Sequence, residues 1–179
     1  MYTKITLSGE VASGKSTVGK LLAEQLGYEF ISIGNKTRER AEKEGLTIVE
    51  FQQKCRENPI LDQELDDEFS AYCNSGENLV IDYRMGFHFV KDAFHIYLKI
   101  SEKDAIERMI KAQRANETYL TVKERNISFK SQFENTYGID YTDESNYDLI
   151  VNANHSTTAE ETMKYIFNNL KQFKNGQEE

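Results

Sequence analysis

The chain has 179 residues, 39% hydrophobic and 29% charged, a balance that suits one domain and excludes a disordered or membrane-embedded sequence. A formal charge of -8 excludes nucleic acid as the main partner, because that polyanion needs a basic face, whereas a mononucleotide needs only a local cluster of cations. No apolar run approaches the roughly 20 residues that cross a bilayer, and Met1 to Lys4 lead into a strand without a signal-peptide core, so no membrane partner and a cytoplasmic location are expected.

Taken in chain order, Ile5 to Ser8 form a short apolar strand that ends at Gly9. From Lys15 the period becomes helical, with Val18, Leu21, Leu22 and Leu26 on one stripe and Gly27 as the stop. Tyr28 to Ile33 is extended and closed by Gly34, and a charged helix follows over about Asn35 to Glu44. Thr47 to Glu50 is a capping box, and Asn58-Pro59 caps a further helix to about Asn74. Asn78 to Asp82 and Phe94 to Ile100 are strands, and Ser101 to Asp104 start a helix through about Ala115. Thr121 to Glu124 start another, ended by Gly138. Asp148 to Val151 is the last strand, followed by an amphipathic helix from about Thr158 and a frayed tail from Lys174 to Glu179. Strands separated by helices predict right-handed crossovers and a parallel sheet, hence one α/β domain over residues 1–179. Cys55 and Cys73 fall in helical segments without His or Cys at metal spacing and read as reduced, buried thiols.

Gly9-Glu10-Val11-Ala12-Ser13-Gly14-Lys15-Ser16, continuing into Thr17, matches G-x-x-x-x-G-K-[ST] and stands between a buried strand and a helix start. Its glycines let the loop wrap with amides inward, and those amides and the helix N-terminus hold phosphate oxygens. Lys15 is expected to neutralise the β- and γ-phosphates, with the Ser16 hydroxyl on Mg²⁺, so ATP and Mg²⁺ are the expected cofactors. Asp82, ending an apolar strand, is the expected carboxylate of the metal site. Arg38, just after Gly34, and Arg84, just after Asp82, both follow strands, where open α/β sheets bind ligands. Together they are suited to grip a phosphate on the acceptor. Arg125 stands out in a basic stretch from Arg108 to Tyr137 that also holds Lys111, Arg114, Lys123 and Lys130, with Asn116 to Leu120 as a hinge. Positive charge brought over a migrating phosphoryl while water is excluded is what a closing lid supplies. Phe87 and Phe89, near Arg84, read as core packing.

These motifs resemble the cytidylate kinase-like family, in particular its short, archaeal-type branch. The likeness covers nearly the whole chain: the P-loop, Ile31 to Gly34 followed by Arg38, Leu46 to Phe51, and Leu79 to Asp82 followed by Arg84. Its most specific part is Tyr137-Gly138-Ile139-Asp140 leading to Tyr147-Asp148-Leu149-Ile150. The resemblance implies a P-loop NTPase three-layer fold with five parallel strands in the order 2-3-1-4-5. It implies an acceptor-binding segment over about 34–76 and a lid over about 108–137. It also implies transfer of the ATP γ-phosphate to CMP or dCMP. On that resemblance Gly34, Arg38, Asp82 and Arg84 hold the acceptor, Arg125 acts on the transferred group beside Lys15 and Arg84, and Asn152, Ala153 and Asn154 flank the adenine. Arg114 lies close to the position of a lid arginine. The expected partners are small-molecule nucleotides, with the chain a monomer or weak homodimer.

Four positions depart from the family pattern: Asn35 stands for Asp, Tyr83 for Gly, and Ala112 and Gln132 for lid arginines. Losing an arginine finger slows transfer by orders of magnitude unless Lys130 or Arg114 compensates. Tyr83 places a large ring where a glycine lets the acceptor approach, and with Asn35 it leaves a different or bulkier acceptor, such as a modified deoxycytidylate, as an alternative to CMP. Three readings stand: a (d)CMP-type kinase, a P-loop kinase of another small acceptor, and a nucleotide-binding module with little turnover.

Overall fold

A computed structural model describes residues 2–111, 119–154 and 156–175. Ala112, Arg114, the predicted helix end at Ala115, the hinge residues Asn116 to Thr118 and the tail from Gly176 lie outside the described residues.

Lys4–Gly9 (β1) is buried along its whole length, so both of its faces must be covered, and helices on both sides of a parallel sheet meet that need. After it come Lys15–Leu26 (α1), Glu29–Ser32 (β2), Ile33–Lys43 (α2), Ile48–Glu57 (α3) and Pro59–Ser75 (α4). Leu79–Asp82 (β3), Gly86–Phe89 (α5) and Phe94–Lys99 (β4) follow. Glu102–Lys111 (α6), Tyr119–Tyr137 (α7), Leu149–Asn152 (β5) and Ala159–Asn175 (α8) complete the described order. The strands pair in parallel in the order β2-β3-β1-β4-β5, as the resemblance implies.

Side chains alternate across this sheet, and both faces are apolar. Ile5, Leu7, Val80, Ile96 and Leu98 meet Val18, Leu22, Ile166 and Leu170 from α1 and α8 on one side. On the other, Leu79, Ile81 and Tyr97 meet Phe69, Cys73, Met85 and Tyr141. A smaller cluster of Ala41, Phe51, Cys55 and Leu65 ties α2, α3 and α4 to one another. Register sets the functional edge: Leu7 pairs with Asp82 and Ser32 also pairs with Asp82, so three strands deliver their ends together.

Several boundaries differ from the sequence expectation. β2 stops at Ser32, and Ile33 and Gly34 already belong to α2. Thr47 and Glu50 do form the reciprocal box on α3, but Asn58 makes no side-chain cap at α4, where Pro59 alone fits the first turn. α7 covers Tyr119–Tyr137, so Thr121 lies inside it and not before it. The short α5 was not expected; its four residues are too few for a periodic signal. β5 runs one residue later than expected, to Asn152. Among the described residues, no helix is long and apolar enough to cross a membrane.

Candidate active site

The loop from β1 to α1 takes a shape that only part of the chain's chemistry permits. Gly9 has φ +142°, and a Cβ there would stand 2.3 Å from the Leu98 carbonyl oxygen, so glycine is obligatory. Ala12 at φ +66° and Gly14 at φ +92° continue the left-handed path. Gly14 caps α1 without any side-chain hydrogen bond, which leaves the first-turn amides open to an anion. Lys15 is 8% exposed and folds back on the loop. Its Nζ donates to the Gly9 and Glu10 carbonyls at 2.9 Å each and to Ser13 Oγ at 3.3 Å. Burial, and then the Arg84 charge, push its pKa down to about 7.

Ser16 Oγ donates to Asp82 Oδ2 at 2.5 Å, joining the helix start to the end of β3. Among the described residues no three acidic, His or Cys side chains form a metal cluster. One carboxylate beside a hydroxyl nonetheless fits Mg²⁺, which takes few protein ligands and completes its shell with phosphate and water. The residues the sequence selected for Mg²⁺ are therefore in contact.

The cations converge on the same place. Arg84 has its guanidinium carbon 4.0 Å from the centre of the Phe129 ring of α7, and its carbonyl accepts from Ser8 Oγ at 2.9 Å. Its Nε is buried without a hydrogen-bond partner among the described residues, a donor left for a ligand. Arg125, also on α7, is near enough that its charge lowers the pKa of Lys15 and of Arg84. Arg38 is exposed in the middle of α2, with its guanidinium against Gly34 and Nη2 donating to Asn35 Oδ1 at 2.7 Å. Asn35 thus orients Arg38 as an acidic residue would, without the charge.

One cavity of about 830 Å³ contains Gly14 to Thr17, Gly34, Arg38, Asp82, Arg84, Arg108 and Arg125 in its lining. Asn152 and Ala153 do not line it; Asn152 is exposed at the end of β5 and Ala153 is buried with its amide on the Lys99 carbonyl. Asn154 joins the site through its carbonyl, which accepts from Arg108 Nη2 at 2.7 Å and Nε at 3.1 Å. Arg108 Nη1 also donates to the Ser13 carbonyl at 2.9 Å, fastening α6 to the P-loop. In the sequence Arg108 is only one member of a basic stretch. The signal was its spacing: it lies one turn after buried Ala105 on the same face of α6.

Tyr83 does not obstruct the acceptor side. Its ring is 2% exposed, packs edge-on to Phe69 and stacks with Phe89, and its hydroxyl donates to Asp66 Oδ1 at 2.6 Å. Tyr137 at the end of α7 donates to the other oxygen of Asp66 at 2.7 Å. Gln132 faces Asp62 of α4, with Nε2 2.5 Å from Oδ2. Lys130 is held by Asp140 at 2.7 Å and does not line the cavity, so it does not replace a missing arginine. Phe87 and Phe89 pack against Tyr147 and Tyr83, as core residues do. Asp62 and Asp66 went unremarked in the sequence, although their spacing with Leu65 and Phe69 puts carboxylates on an apolar stripe.

Comparison with known proteins fits this geometry. The chain is 50% identical over 163 residues to the S-adenosylmethionine-dependent nucleotide dehydratase of Lacinutrix mariniflava; the match covers 89% of this chain but 34% of that protein. It spans about a third of the length of that relative. It is 35% identical over 155 residues to the cytidylate kinase of Sulfurisphaera tokodaii, covering 84% of this chain and 86% of that one. In fold it is similar to shikimate kinase from Bacteroides thetaiotaomicron, with a TM-score of 0.67 at 18% identity over 94% of this chain and 98% of that one. The sequence pattern of the cytidylate kinase-like family matches residues 4–155. With the P-loop, the strand-end carboxylate and the arginines placed as described, the chain belongs to the cytidylate kinase-like family and has the P-loop kinase fold.

Proposed function

We propose that the chain transfers the γ-phosphoryl group of ATP to a nucleoside monophosphate of the cytidylate type. The observation that supports this reading best is the single cavity shared by the P-loop and the Gly34–Arg38 corner, with Arg84 and Arg125 in its lining. A donor and an acceptor phosphate held on one set of cations are brought into line, and positioning plus charge stabilisation is most of what phosphoryl transfer needs. In this reading the amides of Gly14 to Thr17 cradle the triphosphate, and Lys15 leaves its carbonyl partners for phosphate oxygens. Ser16 and Asp82 hold Mg²⁺, which supplies charge neutralisation at the phosphates when bound. Arg38 and Arg84 grip the acceptor phosphate, and Arg125 faces the group in transit from α7, which together with α6 acts as the lid.

ADP formation with MgATP and a panel of nucleoside monophosphates tests the reading. Turnover that depends on CMP or dCMP is the expected result. MgATP binding without transfer to any monophosphate would remove it and favour a nucleotide-binding module.

A second reading concerns the product's use. The 50% identity to part of a nucleotide dehydratase supports a role in which this chain supplies a phosphorylated nucleotide for S-adenosylmethionine-dependent dehydration. The acceptor preferred in the panel should then be a precursor of the nucleotide that such an enzyme consumes.

A further inference from the structure

Arg84 is held by the flat face of its guanidinium and not by its edge. The guanidinium carbon lies 4.0 Å from the centre of the Phe129 ring, while the backbone of the same residue is fixed by Ser8 Oγ on its carbonyl. A stacked ring covers the plane of a guanidinium and uses none of its N–H bonds, which point outward within that plane. Arg84 Nε accordingly stays buried with no hydrogen-bond partner among the described residues.

Phe129 is itself fixed from two sides. Phe133, one turn further along α7, stacks with it at 6.3 Å between ring centres, and Phe133 in turn meets the buried Tyr141 edge-on at 5.6 Å. Phe129 also packs against the cluster that joins Val11 of the P-loop to Met109 and Val122. Arg125 stands one turn before Phe129 on the same face of α7, and Arg84, Arg125 and Phe129 all line the cavity. One helix therefore carries both a cation for the cavity and the ring on which a second cation rests.

An arginine that grips a phosphate gives up rotamers to do so. One laid on a fixed ring has them restricted beforehand and keeps parallel N–H bonds for a bidentate contact. The ring also keeps water from one side of the cation, which strengthens its pull on an anion at its edge.

We infer that Phe129 is a positioning residue for Arg84: its ring holds the guanidinium with the donor edge free for the acceptor phosphate, so that Arg84 is aimed only while α7 is seated on the P-loop. This rests on the phosphoryl-transfer reading above, in which Arg84 grips that phosphate.

The test is steady-state transfer from radioactive ATP to CMP or dCMP, whichever the wild-type chain turns over faster, in Phe129→Leu and Phe129→Tyr. Leucine keeps an apolar group against Val11 but has no ring face, and tyrosine keeps the face. Phe129→Leu should raise KM for the monophosphate at least fivefold and leave KM for MgATP within twofold, and Phe129→Tyr should bring both within twofold of the wild-type values. In an Arg84→Ala background Phe129→Leu should change kcat/KM for the monophosphate less than twofold, because the side chain it positions is gone. Equal losses with and without Arg84, or a parallel rise of both KM values, would mean that Phe129 serves only the packing of α7; either overturns the inference and spares the kinase reading. Should Phe129→Leu fail to fold, Phe129→Met takes its place, and if neither folds the ring is needed for the fold itself and the inference falls. A wild-type chain that phosphorylates no monophosphate overturns the kinase reading, and this inference with it.

Discussion

Lys15 spends the free state bonded to three oxygens of its own loop, with its pKa near 7 and not near that of an exposed lysine. The sign of the consequence follows from linkage. Below about pH 7 the folded and unfolded chains both carry the charged amine, and folding bears the full cost of burying it, on the order of a few kcal/mol. As pH rises from 7 towards 10.5, the folded form is neutral while the unfolded form stays charged, so this cost shrinks. Lys15→Met should therefore raise the melting temperature at pH 6 to 7, with a smaller gain at pH 9, while abolishing phosphoryl transfer. A melting temperature that falls at both pH values would show that the loop bonds outweigh desolvation. Phosphate oxygens favour the charged amine, so binding of MgATP at pH 8 should take up a proton and weaken with rising pH. Calorimetry in buffers of different ionisation enthalpy checks this; heats independent of buffer would contradict it. Lys15 was legible in the sequence because the motif names it. Its idle-state bonds were not, because they depend on a φ of +142° at Gly9, which only the folded loop reveals.

Two glycines separate close approach from backbone strain at the level of the element. Gly138 ends α7 at φ +70°, with nothing within 4 Å of a Cβ placed there. Gly138→Ala should thus cost only the left-handed strain, about 1 kcal/mol, seen as a drop of a few degrees in melting temperature with the MgATP response intact. Gly9→Ala meets the Leu98 carbonyl at 2.3 Å, and β4 cannot yield without disturbing the sheet. That variant should lose the thermal shift produced by MgATP, and a normal shift would mean the loop tolerates another path. Strand ends and helix stops such as Gly138 were readable because each carries its own local chemistry. Asp62 and Asp66 were not, since Gln63, Glu64, Asp67 and Glu68 surround them and make α4 look like a solvated helix. The stripe of Leu65, Phe69 and Cys73 alone gives away the inward face. The order of the sheet came from the family resemblance, because parallel pairings join segments far apart in the chain and leave no local mark.

Across the whole molecule, α7 is the element that touches everything the proposed reaction brings together. Asn126 Oδ1 accepts from the Val11 amide of the P-loop at 2.9 Å. Phe129 lies under the Arg84 guanidinium, Gln132 bonds Asp62, and Tyr137 bonds Asp66. A helix fastened at one end to the donor loop and at the other to the acceptor wall makes each site sensitive to the other, and such coupling is reciprocal. A non-hydrolysable ATP analogue should tighten the preferred monophosphate, and the monophosphate should tighten the analogue by the same factor, within the roughly 5- to 150-fold range usual for coupled sites. Asn126→Ala removes the bond to the P-loop while leaving Arg84, Asp62 and Asp66 their partners on α7. It should lower that factor several-fold, and calorimetric titration of each ligand with and without the other measures it directly. The variant's affinity for the monophosphate alone should stay near that of the wild-type chain, since Asn126 is not part of the cavity lining. A coupling factor untouched by Asn126→Ala would mean that the two sites communicate through α1 and β3, where Ser16 already meets Asp82.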